Sequence, residues 1–180
     1  MKIGLLQRPK NGWRWCGPFL SKYAHFKEWT LLNPDFRDIL CALHAEKVEF
    51  LVVGSYAVAA YARARGTEDI DIWVRPSVEN SQRVMRALLR FGAPTSHLTP
   101  EDFQVEGRNF QMGSKPWRID VLTFVEGISF DETWTDRQEF TLDDVVLPVP
   151  SRKHLIANKR AAGRPKDLAD VAELEKKPKT

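Results

Sequence analysis

A chain of 180 residues with 43% apolar and 28% charged side chains has the balance of a folded globular domain and length enough for a sizeable core, which excludes a disordered polymer. Two cysteines, Cys16 and Cys41, exclude a disulfide framework, and no apolar run approaches the roughly 18 residues of a membrane span, so a cytoplasmic protein with no membrane partner is expected. The net charge of +3 is unevenly spread: the first thirty residues hold six Lys or Arg against one acid, residues 31–150 hold twelve against nineteen, and the last thirty hold nine against four. An acidic centre between basic ends suits a metal site flanked by phosphate-binding arms, or is simply solvated surface charge. The four histidines, His25, His44, His97 and His154, lack ligand spacing and read as structural or exposed.

Residues 1–32 form a basic, aromatic extension, with Trp13, Trp15 and Trp29 among Lys10, Arg14, Lys22 and Lys27. Such aromatics pack on the domain or on another subunit, or stack on nucleic-acid bases. The domain proper is expected over 33–150, with two closing helices over 151–180. Asn33-Pro34 opens a helix with a cap and a first-turn proline, and Phe36, Leu40 and Leu43 fall on its inner face.

Phe50 to Val53 is a short apolar run with the character of a buried strand, followed by Gly54-Ser55 and a helix of small residues from Tyr56 to about Arg63. Asp69 to Val74 then alternates: Ile70, Ile72 and Val74 face one way, Asp69, Asp71 and Trp73 the other. Two like charges side by side on a half-buried face call for a neutralising cation or solvent, and carboxylate oxygens suit Mg²⁺. Gly54-Ser55, at a helix start, offers backbone N–H groups to a phosphate.

Ser77 caps the next helix, whose Val84, Leu88 and Phe91 form an apolar stripe that Gly92 ends. Two strands, Asp102–Val105 and Arg108–Met112, are expected around a turn at Glu106-Gly107. Trp117 to Phe124 follows as a strand on which Asp120 points away from Ile119 and Val121. A short helix over Asp131–Arg137 precedes a second hairpin, Glu139–Leu142 with Val145–Val149, whose Pro148 belongs near an edge. Ser151 caps a helix reaching Ala162, Gly163 and Pro165 break it, and a last helix sets Leu168, Val171 and Leu174 on one side. The fold class is α/β, a mixed, twisted sheet with a C-terminal helical pair.

The succession of strand, Gly-Ser, helix, Arg-x-Thr and Asp-x-Asp resembles the DNA polymerase β-type nucleotidyltransferase superfamily, matched here at Gly54, Ser55, Arg65, Thr67, Asp69 and Asp71, with Ala62 where relatives often carry Gly. The resemblance implies that Gly54 and Ser55 hold a triphosphate. It also implies that Asp69 and Asp71, with Asp120 as third carboxylate, bind two Mg²⁺ ions. The stretch from Leu155 to Lys159, with Arg164-Pro165-Lys166-Asp167 and Asp170, is similar to the tail of small bacterial nucleotidyltransferases, including the AbiEii-like toxin branch. It implies nucleotide contacts from Lys159 and Asp167, with Arg164 or Lys166 assisting.

The activity so implied is transfer of NMP from an NTP to a hydroxyl of RNA, protein or a small molecule, with a toxin–antitoxin partner as one setting. The rival readings are a nucleotidyltransferase-like neutralising partner with little turnover and an RNA-binding accessory protein using the basic ends.

Overall fold

The computed structural model describes residues 32–62, 66–114 and 116–176. Of the extension expected over residues 1–32, the first 31 residues lie outside the described residues, as does Arg65. Asn33 accepts a hydrogen bond from the Asp35 amide and starts α1 (Pro34–Ala45), whose Phe36, Leu40 and Leu43 are fully buried. Strand β1 (Phe50–Val53) runs into α2 (Gly54–Ala59), which starts two residues earlier and stops four residues sooner than its composition suggested. Then come β2 (Asp69–Val74) and α3 (Val78–Phe91), the latter capped by the Ser77 hydroxyl and ended by Gly92 in a left-handed conformation.

The expected strand over Asp102–Val105 does not form: Asp102 and Phe103 end a 3-10 turn, Pro100–Phe103, that Gln104 caps. Proline starts it, and the Asp102 carboxylate accepts from the Thr99 amide at 2.8 Å, a capping box that outweighs a four-residue alternation. The hairpin therefore lies further along, β3 (Asn109–Ser114) pairing antiparallel with β4 (Trp117–Leu122), and no strand turns at Glu106-Gly107.

Helix α4 (Phe130–Thr135) precedes the hairpin of β5 (Gln138–Leu142) and β6 (Val145–Val149), which turns at Asp143-Asp144 as expected. Helices α5 (Arg152–Ala162) and α6 (Pro165–Leu174) close the described chain. Ser151 occupies the cap position of α5, yet its hydroxyl bonds to the Asp136 carboxylate at 2.7 Å and to the His154 ring at 3.0 Å rather than to a backbone amide of the helix. On α6, Val171 and Leu174 are buried, but Leu168 is 52% exposed, because Asp167 and Asp170 take the inward positions beside them.

The main sheet has the order β1-β2-β4-β3 and is mixed: β2 and β4 run parallel, and the outer pairs run antiparallel. Period-2 alternation gives it two unlike faces. One carries Phe50, Val52, Ile70, Ile72, Val74, Ile119 and Val121 into the main core, with the inner residues of α1 and α3 and with Leu155 and Leu174 from the last two helices. The other is divided. Leu51, Val53 and Trp73 build a small second core with Val125 and Phe130. Asp69, Asp71, Arg118 and Asp120 share that face at the opposite ends of β2 and β4. Among the described residues no helix is long and apolar enough to cross a membrane.

Candidate active site

The turn after β1 fixes the site's floor. Gly54 has φ +65, and a Cβ there would lie 1.9 Å from Asp71 Oδ2 and 2.9 Å from Asp71 Cγ. Glycine is required twice over, by the left-handed backbone and by the carboxylate lying on it. That contact follows from the antiparallel register, which sets Val53 opposite Asp71. Ser55 follows, half-buried, in the first turn of α2, a helix of only six residues.

The parallel register supplies the rest. Asp71 stands opposite Asp120, and Asp69 opposite Arg118, so three acids and one guanidinium share one face of two adjacent strands. Arg118 donates from Nη2 to Asp69 Oδ2 at 2.9 Å and from Nε to Asp120 Oδ2 at 3.0 Å. The remaining oxygens of those carboxylates are held by neutral donors. Thr67 Oγ1 donates to Asp69 Oδ1 at 2.6 Å and Gln111 Nε2 to Asp120 Oδ1 at 2.8 Å.

Asp71, between them, fares differently. Burial, then repulsion from Asp69 and Asp120, push its carboxyl up to about 6, and attraction from Lys159 and Arg118 offsets only part of this. Burial and the nearby Asp69 charge likewise raise the hydroxyl of Tyr56, on α2.

The donor set, three carboxylates of which one is under-neutralised, has the chemistry of a hard divalent cation such as Mg²⁺. Its placement is not that of a closed ligand shell. Among the described residues no three His, Cys, Asp or Glu side chains are gathered so as to hold an ion, and Arg118 lies between two of the acids.

The tail residues form a second cluster. Lys159 is buried, and its Nζ lies 2.9 Å from Asp167 Oδ1 and 3.3 Å from Asp170 Oδ2. Arg164 Nε donates to Asp167 Oδ2. Burial alone would raise the Asp167 carboxyl, but the hydrogen bonds from Arg164 and Lys159 hold it below the usual carboxylate range. Lys159 and Arg164 are also close enough to act electrostatically on Asp71. Lys166 is exposed and joins neither cluster. Sequence reasoning missed Arg118 and Gln111. The first was readable, since it sits two residues before Asp120 on the same strand face; the second depended on the β3–β4 register, which the misplaced turn concealed.

No family model matches the chain, and no curated protein matches it by sequence. Among solved structures it is similar to the lincomycin-bound crystal structure of the lincosamide antibiotic adenylyltransferase LnuA, with a TM-score of 0.54 and 16% identity over 81% of this chain and 97% of that one. The two proteins share a fold. At that identity the likeness extends to the nucleotidyltransferase-type arrangement of strands and helices, and the assignment of individual site residues rests on the geometry above.

Proposed function

We propose that this protein is a metal-dependent nucleotidyltransferase that moves an NMP from an NTP to a hydroxyl acceptor. The observation that carries the proposal is the register of β2 against β4, which sets Asp71 opposite Asp120 and beside Asp69, over a glycine turn that only glycine can make. The shared fold with an adenylyltransferase supports the same reading. The acceptor oxygen bonds to the α-phosphorus, the bond to the departing pyrophosphate breaks, and the hydroxyl proton passes to solvent. Asp69, Asp71 and Asp120 would hold two Mg²⁺ ions, which when bound supply Lewis-acid stabilisation of the attacking and leaving oxygens. Gly54 and Ser55 would face the β- and γ-phosphates, and Thr67 would lie beside the carboxylates; Arg65, a nucleotide contact that the family resemblance implies, falls outside the described residues.

Thr67 would act by aiming Asp69, and Lys159 and Arg164 by contributing positive potential at Asp71. Lys166, exposed near the tail cluster, would add long-range attraction for the triphosphate. The acceptor classes to test are a hydroxylated antibiotic of the lincosamide kind, RNA, and a protein hydroxyl in a toxin–antitoxin setting.

A second reading, a nucleotide-binding neutralising partner with little turnover, is favoured by one observation: the Lys159 ammonium is already committed to Asp167 and Asp170. Labelled ATP, CTP, GTP and UTP, each with Mg²⁺ and each acceptor class, separate the two. Label on any acceptor, lost in Asp71→Asn, supports transfer. Nucleotide binding without label on any acceptor supports the partner reading.

A further inference from the structure

Each of the two outer carboxylates in the site has one oxygen fixed by a neutral donor and the other held by the same guanidinium. Thr67 and Gln111 hold Asp69 Oδ1 and Asp120 Oδ1, while Arg118 holds Asp69 Oδ2 and Asp120 Oδ2. The neutral donors orient the carboxylates without discharging them. Of the oxygens on these two outer carboxylates, the ones not fixed by a neutral donor are the two that Arg118 occupies, one on each strand, next to Asp71, whose own carboxylate faces the same site.

We propose that Arg118 is a resident counter-ion that keeps the cation position closed until nucleotide arrives, and then exchanges partners, releasing Asp69 and Asp120 and taking a phosphate of the incoming NTP. This rests on the nucleotidyl-transfer reading. The physical basis is threefold. Two cations cannot share those oxygens without strong repulsion, so an ion enters only as the guanidinium leaves. The Arg118 side chain is 34% exposed, whereas the Asp120 side chain is 6% exposed, so the arginine is the member of the pair with room to move. A guanidinium fork that fits a carboxylate pair fits phosphate oxygens equally well, so the displaced side chain has a new partner only when a nucleotide is present. Metal alone must therefore compete with Arg118, whereas metal that comes with a triphosphate gains the contact that metal alone lacks. Arg118 is a positioning residue for the acids in one state and a phosphate contact in the other.

The test is a titration of the full chain, wild type, Arg118→Gln and Arg118→Lys, with Mn²⁺ alone and then with a non-hydrolysable ATP analogue at fixed Mn²⁺, free Mn²⁺ being read by electron paramagnetic resonance. Exchange requires the two affinities to move in opposite directions. Arg118→Gln binds Mn²⁺ alone about tenfold more tightly and the Mn²⁺-bound analogue about tenfold more weakly, the loss of one charge-assisted contact. Arg118→Lys, which keeps the charge and loses the fork, falls between, and it carries the comparison if the glutamine variant does not fold by thermal melt in EDTA.

Unchanged or weaker Mn²⁺ binding in both variants overturns the proposal, as does an analogue affinity that survives the substitution. Either result leaves the nucleotidyl-transfer reading standing if the wild type binds metal and nucleotide. A wild type that binds neither Mn²⁺ nor any of the four nucleotides fails that reading, and this inference with it.

Discussion

Among the described residues two acidic clusters, one of two acids in the tail and one of three on the strand face, are balanced in opposite ways. In the tail, Asp167 and Asp170 share the buried Lys159, Asp167 also takes Arg164, and its carboxyl is held low. On the strand face, Arg118 serves Asp69 and Asp120 while Asp71 is pushed up to about 6. The same residue types thus make a self-satisfied strut between α5 and α6 and, at the ends of β2 and β4, an arrangement short of positive charge. Buried ion pairs that are complete add rigidity, whereas carboxylates left repelling one another persist where a ligand supplies the missing charge.

Removing the cation from the complete cluster gives the largest expected effect. Lys159→Ala leaves two buried carboxylates without it and lowers stability by about 3–5 kcal/mol in denaturant melts. A loss under about 1 kcal/mol with a large fall in transfer would reverse the contrast between the two clusters. The stability of the incomplete cluster depends on pH in a definite direction. The folded pKa of Asp71 lies above the ordinary carboxylate value, so the native state binds the proton more tightly than the unfolded chain does. Its contribution is full below about pH 4 and is lost as pH rises through about 6.

For the metal-free protein we therefore expect wild-type stability, relative to Asp71→Asn, to fall by about 2 kcal/mol across that window, allowing for the residue's partial exposure. Melts of both proteins in EDTA from pH 4 to 7 measure it, and parallel curves would mean that Asp71 is already neutralised. Gly54→Ala should cost about 2 kcal/mol from backbone strain and the clash with Asp71. In an Asp71→Ala background only the strain remains, so a double-mutant cycle should recover part of the loss. The smallest effect belongs to Gln111→Ala, about 1 kcal/mol, because Asp120 keeps its bond to Arg118. Chemical melts resolve it, and a loss as large as that of Lys159→Ala would make Gln111 part of the core framework.

Local chemistry made much of this legible. The Asn33 cap, the Ser77 and Gly92 boundaries of α3 and the alternation over Asp69–Val74 each depend on a few neighbouring residues, and each is found where the sequence puts it. Legibility failed where distant residues decide. Leu168 satisfies a helical stripe, but the buried Lys159 draws Asp167 and Asp170 inward and turns that leucine to solvent. Ser151 has the right residue type for a cap, and Asp136 across the fold takes its hydroxyl. The strand face was readable as two acids on one side. That Asp71 meets Asp120 and Asp69 meets Arg118 was not, because the pairing joins segments far apart in the chain, with β3 coming between β2 and β4.

That pairing also orders the assembly of the protein. The β3–β4 hairpin closes over a short turn and forms cheaply, whereas the bond from Arg118 to Asp69 spans 49 residues and must first meet the entropy of closing that loop. Bringing β2 alongside β4 also forces three negative charges together. Arg118 rides on β4 into that docking step, so the guanidinium that faces the acids in the native state is also the charge that lets the two strands approach while the chain is still folding.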